Sequence, residues 1–162
     1  MSSTAAEFFK WVGQAIVVGL GWLVVHHLSV KRDRENSRRE MLAASADGLA
    51  EALGALLAEG REYHLRGRSV STELRIKMTL QDLAMRVSGL SDLCQETAHL
   101  ASCRSDIGAV RRAITGRHFE DEHIVQLHEA DTQLESIADA VIRAKRSCLR
   151  LKHNQFLPQV NA

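Results

Sequence analysis

Four residues with metal-binding side chains follow one another at intervals of four, three and four positions in the middle of the chain. They are Asp92, Glu96, His99 and Cys103. Positions three and four apart lie on one face of a helix, so this spacing would align two carboxylates, an imidazole and a thiol away from the core. The spacing alone does not show that these four side chains could surround a metal ion with a suitable coordination geometry. We therefore expect a solvated helix face and no bound metal, with a metal site as the alternative.

The pair Glu96 and His99 also matches the Glu-x-x-His unit of helical di-iron bundles, and Glu120 with His123 is a second copy. In those bundles the two copies lie on alternate helices, separated by a helix that contributes a further glutamate. Here the two copies are too close in the chain for that order. We therefore predict no cofactor.

Catalytic patterns are missing from the sequence. His128, Asp131 and Glu135 share a helical face, but no serine, threonine or cysteine lies at a spacing that would identify it as a nucleophile paired with them. No Gly-rich phosphate loop, zinc-knuckle spacing or hydrolase elbow occurs. The three cysteines have no paired spacing, which favours a reducing compartment. We expect a protein that is not an enzyme.

The elements that would position these residues begin with an apolar segment. Residues 11–30 carry no charge, and a helix of that length rises about 30 Å, the thickness of the hydrocarbon core. We predict a short tail at 1–10 and a single transmembrane helix at 11–30. A cleaved signal peptide is the alternative, but no small-x-small cleavage site follows Val30.

The flanks of this segment predict its orientation. Lys10 is the only Lys or Arg before this segment, whereas a basic juxtamembrane segment at 31–40 follows it. The residues expected to contact lipid headgroups are Lys31, Arg32, Arg34, Arg38 and Arg39. The positive-inside rule predicts an inner-membrane protein with its N-terminus outside and its C-terminal domain in the cytoplasm.

Small and polar residues within the segment could pack against another membrane helix. The candidates are Gly13, Gln14, Ala15, Gly19 and Gly21. Small residues spaced four apart allow close helix approach, although glycine is common in membrane helices generally. We therefore include a homo-oligomer, formed through this segment, among the expected partners.

The remaining chain carries three apolar stripes at heptad spacing. The first is Leu42, Ala46, Leu49, Leu53, Leu56, Gly60 and Tyr63. The second is Ile76, Leu80, Leu83, Val87, Leu90, Cys94, Thr97 and Ala101. The third is Leu127, Ala130, Leu134, Ile137, Val141, Ala144, Cys148 and Leu151. Composition rich in Ala, Leu, Glu and Arg, with one proline, predicts an all-α fold. We expect an antiparallel, coiled-coil-like bundle of three helices at 41–156, followed by a tail at 157–162.

Turn signals set the expected helix boundaries. Gly67 should end the first bundle helix, with Ser71 or Thr72 capping the next. Nothing interrupts residues 30–42, so the membrane helix should continue into the bundle. The second stripe loses register at Arg104. Residues 106–115 therefore form either a short fourth helix or a kinked continuation.

Basic residues supply the candidates for partner binding. In a three-helix arrangement the following arginines would meet at the end of the bundle far from the membrane: Arg66, Arg68, Arg143, Arg146 and Arg150. The net charge is only +1 and aromatic residues are few, so we do not expect a nucleic-acid partner. An acidic protein fits such a tip better.

These patterns predict a membrane-anchored helical module that assembles, tethers or regulates a cytoplasmic or membrane partner. Two alternatives stay open. One is an oligomerising effector whose membrane segment, with Gln14 inward, forms a pore or leak. The other is a metal- or redox-responsive sensor built on the face from Asp92 to Cys103.

Overall fold

The computed structural model describes residues 3–94, 97–116, 119–121 and 126–153. These residues form four α-helices: α1 (Ser3–Arg66), α2 (Val70–Gly89), α3 (Thr97–Thr115) and α4 (Thr132–His153). A short 3-10 helix, Leu90–Asp92, follows α2. No strand occurs in the described ranges, and the all-α prediction is confirmed.

The chain divides into two compact units, Met1–Arg38 and Arg39–Ala162. The described residues of the first belong to the N-terminal part of α1, and the second contains the hydrophobic core. α1 passes the boundary without interruption, as the absence of glycine and proline between residues 30 and 42 predicts.

A tight turn connects α1 to α2. Gly67 adopts a φ of 89°, and its N–H donates to the carbonyl of Tyr63 at 3.1 Å, so a residue without a Cβ ends α1 as predicted. The predicted cap at Ser71 or Thr72 is wrong. Ser69 is the cap, because its extended backbone lets its hydroxyl accept from the N–H of Thr72 at 3.4 Å.

The first predicted stripe is buried along its whole length. Small residues on α1 let neighbouring side chains approach closely. A Cβ on Gly60 would lie 3.4 Å from Ile114 on α3, and one on Gly54 would lie 2.9 Å from Nζ of Lys145 on α4. Close packing around α1 therefore accounts for its Ala- and Gly-rich composition.

The second stripe is correct as far as Leu90 and wrong at Ala101. Between them, Cys94 is half-buried against the core, and the side chain of Thr97 lies outside the described residues. The chain leaves the α-helix at Gly89, so α3 starts in a new register and exposes Ala101. The boundary expected near Arg104 therefore lies about ten residues earlier in the chain. The apolar residues that α3 buries are Leu100, Cys103, Ile107, Val110 and Ile114.

The third stripe is buried from Leu134 to Leu151, within α4. Its first two members lie before the helix, where Leu127 is half-buried and Ala130 is exposed. The described helices number four, which agrees with the four-helix alternative, although α3 is longer than the predicted 106–115.

Contacts along α1 define the direction of the other helices. Arg75 near the start of α2 pairs with Glu59 at 3.1 Å. Nε2 of His64 lies 3.1 Å from the carbonyl of Ile114, near the C-terminal end of α3. Lys152, near the end of α4, pairs with Asp47 at 2.7 Å. α4 therefore starts near the C-terminal end of α1 and runs back along it.

Candidate interaction surfaces

The outward side of α2 carries an apolar stripe that no described residue covers. Val70, Leu74, Met78 and Met85 have 57–70% of their surfaces exposed, at intervals of four, four and seven positions. At 100° per residue these four side chains occupy about 80° of the helix circumference. The buried residues of α2, such as Leu83, occupy the opposite side. α2 is thus apolar on two faces, and only one of them is buried within the chain.

This stripe differs from the exposed apolar residues elsewhere in the second unit. α4 exposes Ile142 and Leu149, and α1 exposes Met41, at 44–53% of their surfaces. Apolar side chains scattered in this way are ordinary on a protein surface, whereas a contiguous patch suggests an interaction site. The sequence analysis missed the stripe because it followed only the heptad positions. The interval pattern of Val70, Leu74, Met78 and Met85 could have revealed it.

Charged residues border the stripe on both sides. On one edge Arg86 pairs with Asp82 at 2.7 Å, and on the other Lys77 contacts Glu120. An apolar centre with a charged rim is the general composition of a protein–protein interface. The arrangement can bury apolar surface against a helix, but it presents no reactive group.

The N-terminal unit contains the second candidate surface. Its described side chains between Trp11 and Ser29 are all exposed within that unit, including Trp22 at 67%. In the part of the chain that the structure describes, one helix is long and apolar enough to cross a membrane. A core helix of a soluble protein would bury such residues, so their exposure favours contact with lipid.

The predicted membrane-packing residues lie in this unit. Gly13, Gly19 and Gly21 have open space where a side chain would project, within the described structure. The side chains of Gln14 and Ala15 lie outside the described residues. The role of all five in helix packing stays a prediction.

The predicted headgroup contacts follow on the same helix. Lys31, Arg32 and Arg34 are exposed, whereas Arg38 and Arg39 are half-buried. Their contact with lipid also stays a prediction.

The structure does not gather the basic partner-binding candidates into one tip. Arg66 pairs with Glu62 at 2.7 Å, close to the C-terminal end of α1. Arg150 lies two residues before Lys152, which contacts Asp47. Asp47 and Arg66 are separated by about 28 Å along the axis of α1, at ~1.5 Å per residue.

The basic candidates are separated because the chain has one more bundle helix than the three-helix arrangement assumed. Because α3 is a full-length helix, α4 runs in the direction opposite to that expected for a three-helix bundle. Arg68 pairs with Glu73 near the α1–α2 turn, and Arg143 and Arg146 lie within α4 before Arg150. Whether any of these arginines binds a partner stays a prediction.

The candidate metal face is not a single face in the structure. Asp92 belongs to the 3-10 helix that precedes α3, His99 is half-buried on α3, and Cys103 is fully buried. Glu96 lies outside the described residues. Among the residues with described positions, no three His, Cys, Asp or Glu side chains are grouped so that they could hold a metal ion.

A buried polar network holds the α1–α2 turn. The hydroxyl of Tyr63 donates to Oε1 of Glu73 at 2.9 Å, and Nε of Arg68 donates to the same oxygen at 3.1 Å. The N–H of Glu120 donates to the Tyr63 hydroxyl at 3.1 Å. Burial, reinforced by the hydrogen bond to Glu73, raises the pKa of Tyr63 to about 12. With its donors and acceptors engaged in this way, the network serves to fix the turn.

Comparisons with known proteins give no further guide to function. No protein family, curated protein or solved structure matches this chain.

Proposed function

We propose that this protein is a non-enzymatic, single-pass membrane anchor whose cytoplasmic helices hold a partner protein at the membrane. In this proposal residues 11–30 span the inner membrane, and α2, α3, α4 and the second half of α1 form an antiparallel, coiled-coil-like bundle. The observation that carries the proposal is the uncovered apolar stripe on α2.

The membrane part of the proposal is supported by the exposed apolar side chains that precede residue 30. Moving such side chains from water into lipid is favourable, by about 25 cal/mol per Å² of apolar surface. The basic residues at 31–39 favour a cytoplasmic position for everything that follows them.

The partner part is supported by the composition of the α2 stripe. Two of its four residues are methionines, whose flexible side chains adapt to the shape of a facing helix. The rim carries charges of both signs, from Lys77, Asp82 and Arg86. The partner that fits best is therefore a helix with an apolar stripe of its own and polar edges.

Paired substitutions on two helices test the α2 surface. Leu74→Glu with Met78→Glu places two charges on the stripe, and Ile142→Glu with Leu149→Glu places two charges on the exposed side of α4. All four positions are exposed, so both variants should retain their helical circular dichroism. We expect native mass spectrometry of full-length wild-type protein, extracted from its own membrane, to show a stoichiometric second subunit. The α2 variant should lose it and the α4 variant should keep it.

Two other results would contradict the proposal. A second subunit that survives in the α2 variant would show that α2 is not the docking surface. A homo-oligomer without a foreign subunit, lost on replacing Gly13 and Gly19 by leucine, would favour the oligomerising effector. The observation that supports the oligomerising effector as a second candidate is the open space beside those two glycines, where another helix could pack.

A further inference from the structure

Two cysteines on different helices meet inside the core of the second unit. Sγ of Cys103 on α3 lies 3.6 Å from Sγ of Cys148 on α4, and both residues are fully buried. They are separated by 45 positions in the chain, so packing alone brings them together. The third cysteine, Cys94, is only half-buried and lies before α3.

Neighbouring groups fix the register of the same two helices. The hydroxyl of Ser147 donates to Oδ2 of Asp106 at 2.5 Å, so each cysteine lies near one member of a second contact between α3 and α4. The hydrogen bond to Cys148, together with burial, raises the pKa of the Cys103 thiol. Either sulfur can donate the hydrogen bond that joins the two cysteines, so either can be the one that is oxidised first.

We propose that Cys103 and Cys148 are a site of reversible oxidation, at which a small peroxide converts the two thiols into a disulfide linking α3 to α4. This proposal does not depend on the proposed function, since it requires only the packing of the second unit.

The chemistry balances in two steps. The sulfur of one of the two cysteines, written here as Cys148, attacks one oxygen of hydrogen peroxide, the O–O bond breaks, and the departing hydroxide takes the thiol proton to give water and a sulfenic acid. The sulfur of Cys103 then attacks the sulfenic sulfur. The S–S bond forms, the S–O bond breaks, and hydroxide leaves with the Cys103 proton as a second water. Two thiols are oxidised, and one peroxide is reduced to two waters.

Geometry favours this product over others. A disulfide has sulfurs about 2.05 Å apart, so closing a gap of 3.6 Å requires each sulfur to move about 0.8 Å. Burial excludes large oxidants and other protein molecules, which leaves a small peroxide as the reagent and an intramolecular bond as the product. A sulfenic acid on either cysteine would meet the thiol of the other before any external thiol.

The test uses full-length protein in detergent micelles, treated with hydrogen peroxide and then with catalase. The protein is unfolded and alkylated, and its intact mass and peptides are measured. We expect the intact mass to be that of the chain with one alkyl group and two fewer hydrogen atoms, and the peptides to include one that links Cys103 to Cys148. Dithiothreitol should restore all three thiols.

Two controls distinguish a disulfide that is directed by the folded structure from random pairing of reactive thiols. Cys94→Ala should form the same linked peptide with no thiol left to alkylate, whereas protein oxidised in urea should give mixed pairings. Three free thiols after peroxide treatment, a linked peptide containing Cys94, or a disulfide between two molecules would each overturn the proposal.

Discussion

Glu73 shows how one buried carboxylate is accommodated at the turn between α1 and α2. Its side chain is 5% exposed, yet it accepts hydrogen bonds from Tyr63 and Arg68. A buried charge without such partners would cost several kcal/mol, so each donor stabilises the turn by satisfying the carboxylate.

The raised pKa of Tyr63 predicts a loss of stability in strong alkali. Tyr63 titrates near 10 in the unfolded chain and near 12 in the folded one, so the folded state holds this proton more tightly. The contribution of the protonated Tyr63 hydroxyl to the free energy of unfolding is complete below pH 10 and is lost as the pH rises to 12. It amounts to at most about 2–3 kcal/mol.

Unfolding of wild-type protein and Tyr63→Phe by denaturant, between pH 9 and 12, measures this effect. The variant should be less stable at pH 9 by about 1–3 kcal/mol, since it no longer donates to Glu73. The difference between the two proteins should shrink toward pH 12. A constant difference over this range would contradict the assignment.

At the scale of elements, α2 is unusual because its two apolar faces have different surroundings. Leu83 is fully buried against the other helices, whereas Met85, two positions later, is 60% exposed. The inner face therefore contributes to folding. The outer face is available for binding.

A pair of alanine substitutions on α2 separates these two contributions. Leu83→Ala should lower the free energy of unfolding by about 2–5 kcal/mol, because it leaves a cavity in the core. Met85→Ala should change it by less than about 0.5 kcal/mol. Denaturant unfolding followed by circular dichroism measures both. A loss at Met85 as large as that at Leu83 would show that the outer face is covered within the chain.

At the scale of the whole molecule, the chain combines two units with opposite solvent preferences. In the unit Met1–Arg38 the described apolar side chains between Trp11 and Ser29 are exposed, and the described residues form no core of their own. The unit Arg39–Ala162 buries its apolar stripes in one cluster. Removing the first should therefore leave the second folded.

Deletion of residues 1–30 tests this division. The shortened protein should stay at the bottom of a liposome flotation gradient and keep a cooperative helical melting transition, whereas the full chain should float. Replacing residues 11–30 by an unrelated apolar helix should restore flotation. A shortened protein that still floats would refute the assignment of the anchor, and one without a melting transition would refute the independence of the second unit.

Local chemistry made much of this fold predictable from sequence. The first stripe from Leu42 to Tyr63 lies in one uninterrupted helix, so heptad spacing alone identified its buried face. Gly67 was predictable because few other residues tolerate a positive φ at a helix end. The uncharged segment at 11–30 identified a helix able to cross a membrane, since charge and length are properties of sequence.

Tertiary packing decided the rest. Gly89 offers a break before Leu90, but α1 contains glycines without ending at them, so only packing in three dimensions decides that a 3-10 turn forms here and resets the register of α3. That shift buried Cys103, separated it from Asp92 and reversed α4, so neither the solvated helix face expected from Asp92 to Cys103 nor the basic tip was formed. The meeting of Cys103 with Cys148 and the exposure of Met78 depend on which faces the helices turn toward one another. Helical periodicity defines faces, but it does not determine which of two apolar faces is buried.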